Sequence, residues 1–466
     1  MNRKLKADSR LYFVAGTLGV ILGATQAIRG GAIALILFGL MAAGLLFAQI
    51  IRRPRIGLYL AVFFFMFDSR SLPLSGPFNF SPSNLLLIFT LAALLLRWLH
   101  RHSRGMNVSP AHIDKASLFL GSGLILAAVL SLFVAIYPEI ALRLIITLTG
   151  NLIVLFAVQA LVTSTVEMER LVKVYIAGAT VCALLGIIQA LAAKFAGVEF
   201  GRVMWALGGG PGNPVTILSI PRVTSTWLDP NIYGLFLVPA VSFIWGVSLK
   251  GWARFLIVVI LLAGLAVSFS RTAWISTATA VTATLTLYWL TSRISKLSST
   301  PVIGLRALFL SLIGLALAVA VPWRHIWDML ASLNPAAVEG RIDMSRIGLK
   351  YFYDSPVLGM GPGNFLPVSM AFTHNSYLSI LIEYGLIGGL AWFCLLALTG
   401  WRGIKVLVRC RRPDVSRLTM VSLGAFVGLL IGGLSVEIQN NKLVWVVLGI
   451  ITVLFREFVS RSREEI

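Results

Sequence analysis

Acidic residues are scarce in this chain. Only 18 Asp and Glu stand against 39 Lys and Arg, and charged residues together make up 12% of 466. A water-soluble domain carries about twice that share, so the deficit excludes one. Cysteine is scarcer still. Cys182, Cys394 and Cys410 fall in apolar or basic segments and none lies in the long loops, so no disulfide framework is implied. There is no internal repeat, no low-complexity tract and no soluble-domain stretch. The short alternating strands of an outer-membrane barrel are missing too. The basic N-terminus leads into an apolar run without a clear small-residue cleavage site, which reads as a retained first helix rather than a signal peptide.

What the chain has instead is apolar length. Hydrophobic residues make up 58% and mean hydropathy is +0.89. Apolar runs of about 17–25 residues recur, each long enough to cross a bilayer. They predict helices near 11–28, 31–50, 56–67, 84–99, 117–136, 142–162, 170–192, 230–248, 252–268, 271–290, 303–321, 376–398, 417–435 and 442–456. The expected fold is an all-α, polytopic integral membrane bundle of about 14 (12–14) transmembrane helices, a single membrane domain over 1–466.

The net charge of +21 invites a nucleic-acid reading, which its distribution opposes. Basic residues cluster in alternate loops: Arg3 to Arg10, Arg52 to Arg55, Arg97 to Arg104, Lys250 and Arg254, Arg293 and Lys296, Arg402 to Arg417, Arg456 to Arg463. That is the positive-inside pattern. It predicts both termini inside, contact with anionic membrane lipids and no nucleic acid. The other loops are nearly neutral; Pro322 to Thr373 balances Arg324, Arg341, Arg346 and Lys350 against Asp328, Glu339, Asp343 and Asp354.

Two outer loops are long, 195–229 and 322–375. Loops of this length usually carry function. The first is rich in Gly and Pro. The second holds Trp323, Trp327, Tyr351, Phe352 and Tyr353, which predict short helices on the membrane surface.

Three features gather on this outer side. Arg222 lies in Pro221-Arg-Val-Thr-Ser-Thr-Trp-Leu-Asp-Pro-Asn231, where Asp229 and Pro230 read as N-cap and first helical residue. Arg271 closes Ser268-Phe-Ser-Arg271 between two adjacent helices. His374 and Asn375 precede an apolar helix by one residue, with Gly385 and Gly388 further along it. On an ideal wheel Gly385 lies about 20° from His374 and Gly388 about 40° the other way. Imidazole and glycines would then share one closely packed face.

Guanidinium forks bind phosphate oxygens and stay charged. Two of them beside one imidazole suit a diphosphate leaving group and a general base. No Asp-x-Asp and no His/Cys/Asp cluster stands in the outer loops, so no metal and no other cofactor is expected. Each piece has a plainer reading. A His at a helix start can be an interfacial anchor, and an Arg near the headgroups can pair with lipid phosphate. Arg341 and Arg346 read as a solvated loop face or as substrate-binding groups, the latter with Asn375 and Tyr377. The Gly359-Met-Gly-Pro-Gly363 run reads as a tight turn or an amide cradle for phosphate. Glu383 is expected to pair inside the bundle, and Asp68 to sit at the interface.

In these places the chain resembles the O-antigen ligase and Wzy-type polysaccharide polymerase superfamily. His374-Asn375, nine residues, then Gly385-Leu-Ile-Gly388 matches its signature, and Asp354 to Phe365 resembles the segment leading into it. Arg222 and Arg271 resemble its two arginines, although Ser225 and Trp227 stand where the family usually has Gly and Phe. The resemblance implies a GT-C-like glycosyltransferase of the bacterial inner membrane, working on the periplasmic face. It implies an undecaprenyl-diphosphate-linked glycan donor and a sugar acceptor, lipid A core or growing glycan. It also implies inversion without metal, with His374 as base and Arg222 and Arg271 on the diphosphate. Ligase-type transfer is expected first and polymerisation with the same chemistry second. A flippase of lipid-linked sugars is the rival of another class; it calls for charges deeper in the bundle and broken helices at mid-membrane.

Overall fold

A computed structural model describes residues 32–68, 81–104, 112–196, 216–217, 220–227, 229–295, 335–370 and 373–462. The helices expected at 11–28 and 303–321 lie outside them. The described helices are α1 Ala32–Arg52, α2 Pro54–Phe63, α3 Pro82–Ser103, α4 Lys115–Leu130, α5 Pro138–Leu161, α6 Thr165–Ala196, α7 Pro230–Phe243, α8 Gly251–Val267 and α9 Arg271–Ser295, followed by α10 Pro335–Asp354, α11 Phe365–Ser369, α12 Ser376–Arg409, α13 Pro413–Gly432 and α14 Lys442–Ser462. Single 3-10 turns follow α2 and α4 and precede α14. A two-residue hairpin, β1 Thr216–Ile217 with β2 Ile220–Pro221, is the only strand pair described.

The fold is all-α and polytopic. Among the described residues seven helices are long and apolar enough to cross a membrane: α3, α4 with its 3-10 turn, α5, α6, α12, α13 and α14. Four shorter apolar helices accompany them, α7 and α8 among these. α9 is not in either group, because Thr272, Ser276, Thr277, Thr279, Thr282, Thr284 and Thr286 load it with hydroxyls. Each such hydroxyl can bond a carbonyl one turn back, as Thr277, Thr279 and Thr284 do, so these polar side chains are satisfied within the helix itself.

The chain divides into two compact units. The smaller comprises 1–58 and 86–110. There the Phe47 and Phe89 rings lie 5.2 Å apart and Arg97 donates to the Arg52 carbonyl at 2.8 Å. The larger comprises 59–85 and 111–466 and holds every candidate residue. Its centre is α7, buried without a break from Tyr233 to Phe243. α9 and α13 close around α7. On α13, Gly424, Gly428 and Gly432 recur every fourth residue. A Cβ at Gly424 would stand 2.7 Å from the Ala280 carbonyl of α9, and one at Gly428 2.7 Å from that of Ser276. Gly424 and Gly428 therefore let two backbones touch, while Gly432 makes room for the Leu235 side chain of α7. Ser242 of α7 spans the seam, donating to the Val421 carbonyl at 2.8 Å and lying 2.9 Å from Thr284 Oγ1.

Candidate functional site

Two separate segments carry the arginines to one place. Asp229 caps α7 by accepting from the Asn231 and Ile232 N–H groups at 2.6 and 3.1 Å, and Pro230 is the first helical residue, as the sequence predicts. Upstream, Val223 N–H donates to the Val267 carbonyl at the end of α8, 3.3 Å away. That bond lays the Arg222 segment against the α8–α9 junction. Arg222 Nη2 donates to Asn231 Oδ1 at 3.2 Å, and Ser270 Oγ donates to the same oxygen at 2.8 Å. Arg271 is the next residue and the first of α9. The two guanidinium groups are neighbours. Burial lowers the Arg222 pKa, Asp229 opposes this, and the Arg271 charge lowers it further. Both side chains are half-buried.

The turn after Arg222 is fixed from below. Ser225 adopts the left-handed conformation, φ 52°. Gln189 of α6 grips its backbone with both ends of the amide: Nε2 donates to the Ser225 carbonyl and Oε1 accepts from its N–H, each at 2.8 Å. Ser225 Oγ donates to the Cys182 carbonyl at 2.6 Å, and Thr226 Oγ1 to that of Met66. Gly is the natural residue at the left-handed φ of Ser225, and this chain holds a Ser in place with three hydrogen bonds.

The histidine segment is built differently. His374 is exposed and also left-handed, φ 50°. Asn375 is the N-cap of α12, its Oδ1 accepting from the Tyr377 and Leu378 N–H groups at 3.0 and 3.1 Å. The Tyr377 hydroxyl is committed to the Leu430 carbonyl at 2.5 Å, and Ser376 N–H to that of Gly433 at 2.7 Å. These bonds seat the head of α12 on the tip of α13. Thr373 Oγ1 donates to Glu437 Oε1 at 3.3 Å. Burial pushes the Glu437 carboxyl above its ordinary range, with Thr373 and Asn440 pulling it back.

The same tip of α13 also reaches α9. A Cβ on Gly432 would stand 3.2 Å from Ser276 Oγ, and Ser276 is only five residues, about 7.5 Å of helix rise, beyond Arg271. Arg222, Arg271 and His374 therefore share one end of the larger unit. The start of α8 (Lys250, Arg254), the end of α12 (Lys405, Arg409), the start of α13 (Arg412, Arg417) and the end of α14 (Arg456) lie at the other. All four non-glycine residues with positive φ among those described, Ser225, Phe269, Met370 and His374, lie in or beside the three candidate segments. Backbone strain of this kind collects at functional sites.

The wheel that placed His374 and the two glycines on one face does not hold. His374 precedes the helix, and α12 is interrupted at Gly385, φ 64° and ψ −166°. The loop after α10 fills the break. Met360 and Gly361 N–H groups donate to the Ile382 and Glu383 carbonyls at 2.9 and 3.1 Å, and Leu386 N–H to the Pro356 carbonyl at 2.8 Å. A Cβ on Gly385 would overlap the Val357 carbonyl. So Gly385 is the point where a loop threads through a helix. Gly388 lies one turn on, where a Cβ would meet Tyr384 of its own helix and, at 3.5 Å, Ala127 of α4. The Met360 and Gly361 amides are spent on this crossing and the Gly359 amide on the Ser355 carbonyl, which makes the Gly359–Gly363 run a tight turn rather than a phosphate cradle. Glu383 is buried with Glu437 rather than a cation beside it, and its Oε2 has no hydrogen-bond partner among the described residues. Asp68 pairs with buried Lys442 at 3.1 Å.

Arg346 is exposed on α10 and pairs with Asp343 at 3.3 Å. Arg341 lies in α10, and its side chain is outside the described part. Reading the sequence missed Gln189 and Glu437. Gln189 had a signal, a lone amide in the apolar run of α6. Glu437 had none.

No curated protein matches the chain. Residues 256–393 match the Wzy_C family model, described as O-antigen ligase. The stretch holds Arg271, His374, Gly385 and Gly388 and leaves Arg222 outside. Over residues 256–393 the chain is thus similar to O-antigen ligases, the superfamily that its motifs resemble.

Proposed function

We propose that the protein transfers a glycan from undecaprenyl diphosphate to an acceptor sugar at the periplasmic face of the bacterial inner membrane. His374 accepts the proton of the acceptor hydroxyl as its oxygen attacks the anomeric carbon. The bond from that carbon to the diphosphate breaks, and the electron pair leaves on the diphosphate oxygen. Arg222 and Arg271 neutralise the charge that collects there. Attack from the face opposite the leaving group inverts the anomeric centre. Asn375, Tyr377 and Arg346 are the acceptor-side contacts in this reading, and no metal takes part.

One observation carries the reading. Two arginines 49 residues apart are neighbours, Arg222 bonded to the Asn231 oxygen and Arg271 next in sequence to Ser270, which bonds the same oxygen, at the end of the bundle where His374 precedes α12. Two neighbouring guanidinium forks suit the binding of a diphosphate. The basic loops at the opposite end support the periplasmic assignment of the site. The test is transfer by purified protein in lipid nanodiscs with a lipid-linked glycan and lipid A core. A new glycosidic product that vanishes in His374→Ala is expected. A donor that crosses the bilayer without bond formation would end the proposal in favour of a flippase.

A further inference from the structure

Asn231 does more than cap-side packing requires. It is the second residue of α7, and its one side-chain oxygen accepts two hydrogen bonds, from Arg222 Nη2 at 3.2 Å and Ser270 Oγ at 2.8 Å. A guanidinium can only donate, so the oxygen of the amide and not its nitrogen faces Arg222. That settles which way the amide is turned. Its NH2 group lies on the far side from both partners and donates to no group among the described residues. The side chain is half-buried and so keeps an open approach.

We propose that Asn231 is a third diphosphate-binding residue. Its oxygen keeps the two arginine segments in register, and its NH2 donates to a phosphate oxygen of the donor lipid. This rests on reading Arg222 and Arg271 as the diphosphate pair. A neutral donor suits the position. It adds a hydrogen bond to the anion without adding to the repulsion between the two guanidinium groups.

The test uses full-length protein in detergent micelles, titrated with undecaprenyl diphosphate. Asn231→Asp keeps an oxygen for Arg222 and Ser270 and replaces the NH2 with a second, charged oxygen; its melting temperature should not fall below wild type. Its affinity is expected to fall about ten- to hundredfold, the usual range for a lost hydrogen bond to a charged group. Asn231→Ala, which adds no charge, should also bind at least about tenfold more weakly. Wild-type affinity in either variant, with Arg271→Ala weakened, would overturn the role of Asn231 alone. Wild-type affinity in Arg271→Ala would instead remove the diphosphate reading on which it stands.

Discussion

The arginine side and the histidine side of the site are built on opposite plans. Around Arg222 and Arg271 the backbone is gripped: Gln189 holds Ser225 by both amide ends, Asn231 ties two segments together, and α7 beneath them is buried from Tyr233 to Phe243. Around His374 the chain is exposed and left-handed, and the helix it precedes is broken two turns on by a threading loop. The difference fits the proposed tasks. A group that holds a leaving diphosphate works best when its geometry is fixed before charge develops. A base that must meet an acceptor carried on another molecule gains from an open, adjustable position.

The sharpest way to break this contrast is to remove each charge in turn. Arg271→Ala should lower transfer about a hundred- to thousandfold and weaken donor binding with it. His374→Ala should lower transfer about a hundred- to ten-thousandfold while donor affinity stays at the wild-type level. If His374→Ala loses donor affinity as Arg271→Ala does, the two sides are not separate and the division of labour is wrong.

The second effect is on stability. Gly385→Ala puts a side chain at φ 64° and against the Val357 carbonyl. Strain and overlap together should cost about 2–6 kcal/mol. Thermal melting in detergent should show a large fall, whereas Gly400→Ala on the same helix, 3.5 Å from Phe426, should melt like wild type. Equal melting of the two variants would mean that the threading loop adds nothing to the histidine side.

The parts of this architecture legible in the sequence are those set by local chemistry. Asp229 and Pro230 announce the start of α7 because a cap acts within three residues. Apolar length marks α3 to α6 and α12 to α14, and the spread of Arg and Lys marks the two ends of the bundle. The break in α12 was invisible because its cause, Pro356 to Gly361, lies some 25 residues upstream of Gly385 and pairs through backbone alone. An ideal wheel drawn through a broken helix then gives a false face. Gly424, Gly428 and Gly432 spell out a close helix contact, yet nothing in their spacing names α9 as the partner. Gln189 stands out as polar in an apolar run, but its target, Ser225, is 36 residues away.

That target separates smaller effects. Gln189→Ala leaves a buried N–H and a buried carbonyl of Ser225 without partners, at about 1–3 kcal/mol each. Since the loosened turn carries Arg222, the KM for donor should rise about tenfold while the KM for acceptor stays put. An equal rise in both would extend the grip of Gln189 to the histidine side.

Ser225→Gly should produce the smallest change, and its sign is informative. Glycine adopts φ 52° freely, whereas serine there carries about 1–2 kcal/mol of strain. The substitution also deletes the Ser225 Oγ bond to the Cys182 carbonyl, about 1 kcal/mol. The two terms oppose one another, and both backbone bonds to Gln189 survive because they need no side chain. Melting should therefore shift by no more than about 1 kcal/mol and transfer by no more than about twofold. A large loss would show that the hydroxyl, and not the left-handed backbone, positions Arg222.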